Sequence, residues 1–196
     1  MKLPNILIAT DFACGGIVTT ILNNQQIKWN PRLDGSVDSY EHQDLKTIEL
    51  FHEGYRTTKP GVWYHTHIED VPLDLFDEKL IITTENIYSR YIIFLRCYKF
   101  LHPTWTEDTT PESIDKIREL AKTYAIPKII KARSGCKSIE LIDLIEGDHE
   151  LFESNNTQWE IWKEKNSYLY EKNMWTLKRF SEAVWETENQ QLFKYT

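Results

Sequence analysis

The start of the chain places a buried strand, a glycine turn and a helix in immediate succession. Residues 5–10 form a short apolar run of the kind that becomes a central strand of a parallel sheet. A turn at 11–16 contains the run Cys14–Gly16, and residues 17–22 have the pattern of a buried helix. A strand joined to a helix by a tight turn is a βα unit, the building block of parallel sheets. This opening therefore predicts an α/β domain built on a parallel sheet.

The same alternation continues along the chain. Strands are predicted at 62–65, 80–83 and 139–145, and helices at 45–55, at 86–101 and after Thr110, where a hydroxyl cap precedes Pro111. Residues 25–44 are polar and rich in turn residues, which predicts a loop, and Thr157 is predicted to cap a helical C-terminal region. Together these segments predict one domain over residues 1–196, a layered parallel sheet flanked by helices with a helical C-terminus.

Composition limits the classes of function. The chain has 196 residues, of which 41% are hydrophobic, enough for a globular core. Its net charge of −7, without a basic block, argues against general nucleic-acid binding but leaves room for a local anion pocket. Cys14, Cys97 and Cys136 fit no disulfide framework or zinc knuckle, which indicates a reducing compartment. The first apolar run is too short for a signal peptide or a membrane span, so a cytoplasmic location without a membrane partner is expected.

The glycine turn is the first candidate site. Backbone N–H groups of such a turn can face a phosphate, and the helix dipole favours the negative charge. A phosphate-binding loop usually adds a Lys and a hydroxyl, whereas here Ala13 precedes Cys14–Gly16 and Ile17 follows it. Thr19 and Thr20 come about one helical turn later. The alternative interpretation is a tight connection in which the glycines permit close packing.

Two histidines form the second candidate site. His65 and His67 are two residues apart at the end of a predicted strand, so their side chains should point to the same side. They could bind one metal ion together with Glu69 or Asp70, or one of them could act as a general base near neutral pH. The alternative is a pair of ordinary histidines at a strand end.

A basic segment is the third candidate site. Lys128, Lys131, Arg133 and Lys137 surround a Ser-Gly turn in an otherwise acidic chain. Such a cluster is a local site for an anion. The alternative is a solvated basic loop.

The order of these segments resembles the sulfotransferase family of P-loop proteins over roughly residues 4–100. That family begins with a strand, a Lys-Ser-Gly-Thr-Thr loop that binds phosphosulfate and a helix, and Ala13–Ile17 is the counterpart here. Its Lys-Thr-His-Leu-Pro segment, which carries the catalytic base, is similar to His65–Ile68. Its next strand, Arg-Asn-Pro turn and helix bind the 3′-phosphate of the cofactor and correspond to Lys79–Arg90. The resemblance implies a P-loop fold of the sulfotransferase type.

This resemblance also implies an activity. By it, His67 deprotonates an acceptor hydroxyl while a sulfonate is transferred from the nucleotide cofactor PAPS, with His65 as a second catalytic candidate and no metal ion. The partners implied are an anionic nucleotide and a small hydroxyl acceptor. The chain departs from the family pattern at the missing loop Lys and at Glu85, which replaces the Arg that binds the 3′-phosphate. The residues assigned to the cofactor are Cys14, Gly15, Gly16, Thr19, Thr20, Arg90, Arg133 and Lys137.

Two alternatives stand beside this interpretation. Gly61–His67 resembles the Trp-Tyr-His-Ser/Thr-His motif of JAMM zinc metalloproteases, which implies a zinc ion held by both histidines and a downstream Asp. Glu78 stands at the position of that Asp, with Asp77 one residue short, and Glu49 or Glu53 would be the upstream Glu. The other alternative is a non-catalytic module that kept the fold after losing its loop charges. Its C-terminal aromatic residues would then serve a protein partner or a homo-oligomer.

Overall fold

The computed structural model describes residues 3–24, 29–31, 37–39, 44–45, 59–67, 70–101, 110–126, 129–147, 151, 156–169 and 174–192. The strands are β1 (Asn5–Ile8), β2 (Trp29–Pro31), β3 (Val37–Ser39), β4 (Asp44–Leu45), β5 (Trp63–Thr66), β6 (Lys79–Thr83) and β7 (Lys137–Glu140). Five of them form one parallel sheet in the order β4-β5-β1-β6-β7, and β2 and β3 pair separately as an antiparallel ribbon.

The helices are α1 (Gly15–Leu22), α2 (Ile87–Leu101), α3 (Pro111–Leu120), α4 (Leu141–Glu146), α5 (Asn156–Lys165) and α6 (Met174–Leu192). A π-helical turn, Ala121–Ala125, extends α3, and short 3₁₀ turns lie at Leu73–Leu75 and Ser167–Leu169. In the described parts of the chain, no helix is both long and apolar enough to cross a membrane.

The central strand is buried on both faces. Leu7 and Ala9 pack into the larger hydrophobic cluster, which includes α1 and α2. Ile6 and Ile8 point the other way, into a smaller cluster with Phe76. Because side chains alternate across a strand, an uninterrupted apolar run is what a strand covered on both faces requires.

The prediction of a parallel α/β domain flanked by helices is confirmed. The strands predicted at 5–10, 62–65 and 80–83 are β1, β5 and β6, and the long helix predicted at 86–101 is α2. The Thr110 cap is also confirmed, because its hydroxyl accepts a hydrogen bond of 3.3 Å from the Ser113 amide ahead of α3.

Four predictions of local structure fail or fall outside the described residues. The strand predicted at 139–145 ends at Glu140, because Leu141, Leu144 and Ile145 are buried at helical spacing in α4. Thr157 is not a cap, since α5 begins one residue earlier at Asn156. The loop predicted at 25–44 contains β2 and β3 and the first residue of β4. For the helix predicted at 45–55, residue 45 ends β4 and residues 46–55 lie outside the described residues.

Candidate functional site

The strand order reverses at β1. The chain passes from β1 to β4 and β5 on one side, and then to β6 and β7 on the other. In open parallel sheets, ligands bind outside the carboxyl ends of the strands where such a reversal occurs. Two turns lie at this carboxyl edge, next to the point of reversal. We call residues 9–14, which follow β1, the β1–α1 turn, and residues 84–86, which follow β6, the β6–α2 turn.

The backbone of the β1–α1 turn leaves the first amides of α1 without acceptors. Phe12 and Cys14 have positive φ angles of 63° and 65°, which is uncommon for residues other than glycine. The Ala13 amide donates a hydrogen bond to the Thr10 carbonyl at 3.1 Å, and the Val18 amide donates one to the Cys14 carbonyl at 3.0 Å. Among the described residues, the amides of 15–17 find no such partner, and the Cys14 side chain does not cap the helix. These three amides therefore have no acceptor in the backbone, as is usual for the first turn of a helix, and of the three residues only Gly16 is partly exposed.

A cation reaches this turn from α2. Nη1 of Arg96 donates to the carbonyl of Phe12 and lies 3.2 Å from Sγ of Cys14. Its guanidinium also lies over the Trp162 ring, with 5.5 Å between Cζ and the ring centroid. Sequence reasoning missed this residue because it searched the loop for the cation. The available signal was a single Arg inside the apolar run 91–98.

Gly15 is required by packing. A Cβ at this position would lie 2.9 Å from Cδ2 of His65 and 3.1 Å from Cβ of Ala9. His65 is buried, on β5, beside Leu7 of β1. The close-packing interpretation of the glycine turn is therefore correct for Gly15, and it is compatible with free amides at the same position.

His67 is held against the β1–α1 turn through both ring nitrogens. Nδ1 lies 2.7 Å from the Ala9 carbonyl, and Nε2 lies 3.2 Å from Oδ1 of Asp11. A carbonyl only accepts, so Nδ1 carries a proton, and Nε2 donates to the carboxylate when the ring carries both protons. The His65 and His67 ring centroids are 4.9 Å apart, which confirms that the two side chains share one side. The catalytic role of either histidine stays a prediction.

The hydroxyls assigned to the cofactor lie inside α1. Thr19 donates to the Gly15 carbonyl and Thr20 to the Gly16 carbonyl, both at 2.8 Å. Both threonines are buried in the second turn of the helix. Their hydroxyl protons thus serve the helix backbone and do not point to the amides of the turn.

The β6–α2 turn holds a carboxylate of the protein itself. Oε1 of Glu140 accepts from the Asn86 amide at 2.9 Å, and Oε2 accepts from the Glu85 amide at 3.4 Å. The Thr83 hydroxyl donates to the same Oε2. Glu140 ends β7, which pairs with β6. Sequence reasoning missed it because the predicted strand at 139–145 ran past the point where Glu140 turns toward β6.

Arg90 supports the β6–α2 turn from α2. Its Nε donates to the Thr84 carbonyl at 3.1 Å and its Nη2 to the Glu85 carbonyl at 2.8 Å, while Nη1 pairs with Glu188 of α6. Burial lowers the pKa of Arg90, and the charges of Glu140 and Glu85 oppose that change. All three guanidinium nitrogens therefore have partners in the protein.

The basic segment runs from the β6–α2 turn to the amino end of β7. At its start Ile130, which precedes the exposed Lys131, accepts from the Thr84 amide at 2.9 Å and donates to the Thr84 hydroxyl at 2.8 Å. Lys137 is exposed and begins β7 opposite Leu80, so it sits toward the amino end of the parallel sheet. Arg133 lies four residues earlier, in the loop that leads to β7, and Lys128 falls outside the described residues. The structure does not bring Lys137 to the carboxyl edge where the β1–α1 turn lies.

The residues required by the metalloprotease resemblance are also separated. His65 and His67 lie at the carboxyl end of β5, whereas Asp77 and Glu78 come just before β6, at the amino edge of the sheet. Oδ2 of Asp77 accepts from the Leu3 amide at 2.7 Å. Glu49, Glu53 and Glu69 lie outside the described residues, and within the described ones no group of three or more His, Cys, Asp or Glu could hold a metal ion.

Comparison with known proteins found no matching family model, no matching curated protein and no matching solved structure.

Proposed function

We propose that this chain is a phosphate-binding domain of the sulfotransferase-like P-loop type, which holds the phosphate of a nucleotide at the β1–α1 turn. The observation that carries the proposal is the set of three amides, 15–17, left without acceptors at the start of α1. They lie at the carboxyl edge where the strand order reverses. Amides at a helix start and the helix dipole together attract phosphate.

Arg96 supplies the charge that the loop sequence lacks. Its guanidinium contacts the Phe12 carbonyl, so a full positive charge lies within the turn that precedes the free amides. In this proposal the cation comes from α2 instead of from the Lys of a P-loop. It acts through its field and by fixing the shape of the turn.

We propose binding without sulfonate transfer. Transfer from PAPS to a hydroxyl would need a base with an accessible nitrogen and a place for the 3′-phosphate. Both nitrogens of His67 contact the protein, and the Glu140 carboxylate occupies the amides of the β6–α2 turn. The second candidate function, sulfonate transfer with His67 as the base, is favoured by the position of His67 beside the turn. It requires Nε2 of His67 to leave the Asp11 carboxylate and contact the acceptor hydroxyl instead.

Calorimetric titration with adenosine 5′-monophosphate tests the proposal. We expect saturable one-to-one binding that weakens at least about tenfold in Arg96→Met and is largely retained in Arg96→Lys. Lys99→Met, which removes a charge from the same helix, is the matched control and should bind as the unaltered protein does. Absence of saturable binding to the unaltered protein would contradict the proposal.

An assay of sulfonate transfer separates the two candidates. Incubation with PAPS and simple phenol or alcohol acceptors is expected to give no sulfonated product. A product that forms with the unaltered protein and disappears in His67→Ala would instead support the catalytic candidate.

A further inference from the structure

The β1–α1 turn is strained, and contacts that hold it come from later parts of the chain. Phe12 and Cys14 both adopt left-handed backbone conformations, with φ angles of 63° and 65°, which residues other than glycine disfavour. Such residues keep these angles only where surrounding contacts impose them, and they concentrate in segments that change conformation. We infer that helix α5 is a clamp on this turn: its docking, through Arg96, keeps the turn in the described shape, and its release lets the turn relax. This inference goes beyond the proposed function and stands whether or not the turn binds a phosphate.

Arg96 joins the turn to α5. Its Nη1 donates to the Phe12 carbonyl and lies 3.2 Å from Sγ of Cys14, so one group contacts both left-handed residues. The same guanidinium lies over the Trp162 ring of α5, with 5.5 Å between Cζ and the ring centroid. Because Trp162 is buried, this cation–π contact is stronger than one at an exposed site. Trp162 therefore helps to fix the direction in which Arg96 points.

Trp162 is itself held by the packing of α5. It stacks on Trp159, one helical turn earlier, with ring centroids 4.7 Å apart and planes 7° from parallel. Both rings are buried and belong to the larger hydrophobic cluster, which includes α1 and α2. Undocking of α5 would remove both indoles from this cluster at once, and Arg96 would lose the ring that orients it.

The two parts of the turn are held by different elements. The part before Phe12 is attached to the end of β5, because His67 contacts the Ala9 carbonyl and the Asp11 carboxylate. The left-handed part is contacted by Arg96 and by the π-helical turn, where the Tyr124 ring meets the Phe12 ring edge to face at 6.3 Å between centroids. Release of α5 is therefore expected to loosen residues 12–14 and to leave residues 9–11 attached to β5.

Thiol labelling measures this loosening, because the turn and α2 each contain one buried cysteine. Cys14 is 4% exposed and Cys97 is 1% exposed, so labelling of either requires opening of the structure. In the Cys136→Ser protein, which lacks the partly exposed thiol, peptide mass spectrometry follows the rate of reaction of each thiol with N-ethylmaleimide. We expect Trp162→Leu to raise the Cys14 rate at least about tenfold more than the Cys97 rate, as loss of a buried cation–π contact implies. Trp162→Phe keeps a ring and should raise the Cys14 rate by about threefold or less.

Two variants supply the controls. Leu144→Ala removes buried volume from α4 in the same hydrophobic cluster and should raise both rates by the same factor, as a loss of global stability does. Trp185→Leu changes an exposed Trp of α6 and should leave both rates unchanged. Equal acceleration of Cys14 and Cys97 in Trp162→Leu, or no acceleration of Cys14, overturns the inference and leaves the proposed function as it stands.

Native-state hydrogen exchange provides the test if Trp162→Leu does not fold. The Ala13 amide donates to the Thr10 carbonyl within the turn, so its protection reports the closed turn. In the unaltered protein we expect this amide and the amides of α5 to become exchangeable at the same urea concentration, as one cooperative unit. Continued protection of the Ala13 amide after α5 has opened overturns the inference.

Discussion

The turns after β1 and β6 lie at the same edge of one sheet, and each leads into a helix, yet the amides around the two helix starts have different partners. Before α2, the amides of Glu85 and Asn86 are taken by Glu140. Before α1, the amides of 15–17 have no acceptor among the described residues, and Arg96 stands nearby. The first amides of any helix need an acceptor, which can be a side chain of the protein, water or a ligand. A strand–turn–helix pattern therefore indicates a candidate anion site only where no carboxylate of the protein already accepts from the amides of the turn.

The largest expected effect tests the cation of the β1–α1 turn. Arg96→Met removes a charged donor from the Phe12 carbonyl and the stacking on Trp162. We expect the free energy of unfolding to fall by about 3 kcal/mol, since a hydrogen bond from a charged group and a cation–π contact are both lost. Urea denaturation followed by circular dichroism measures it.

Lys99→Met is again the control, because it lies on the same helix and is expected to change the free energy of unfolding by less than about 0.5 kcal/mol. If Arg96→Met costs no more than this control, Arg96 does not shape the turn. The contrast between the two turns would then rest on Glu140 alone.

The next effect tests whether the glycine of the turn is there for packing. Gly15→Ala places a methyl group against the buried His65 ring, 2.9 Å from Cδ2, and should lower the free energy of unfolding by about 2 kcal/mol. The double-mutant cycle with His65→Ala is the sharper measurement, because the smaller side chain leaves room for the new methyl group. A coupling energy of about 1 kcal/mol or more is expected, and strict additivity would show that the two positions do not meet.

The fold could largely be predicted from the sequence because its strongest signals are local. The apolar run at 5–10 and the Thr110-Pro111 helix start depend on neighbouring residues, and both appear where expected. The apolar run after Glu140 could be read as strand or helix, because short buried runs carry no clear period. The structure resolves it as α4.

The candidate site could be predicted only in part, since its charges arrive from distant segments. The glycine turn and the two histidines were visible in the sequence, whereas Arg96 lies 82 positions from Cys14, and Glu140 lies 54 positions from Asn86. Contacts of this kind depend on the strand order and on the packing of α2. A reading of motif spacing therefore found the turn but neither the cation at one turn nor the carboxylate at the other.

The smallest expected effect tests the occupied turn. Glu140→Gln keeps the shape of the side chain but weakens its acceptance from two amides and from the Thr83 hydroxyl. We expect the free energy of unfolding to fall by about 1 kcal/mol, as for the loss of a charge at a helix N-terminus, with Glu78→Gln as the near-neutral control. Urea denaturation of the two variants at equal ionic strength provides the measurement. A variant as stable as the unaltered protein would mean that Glu140 does not stabilise the β6–α2 turn, and the turns would then differ only in the cap of α2, where Oδ1 of Asn86 accepts from the Tyr88 amide at 2.9 Å.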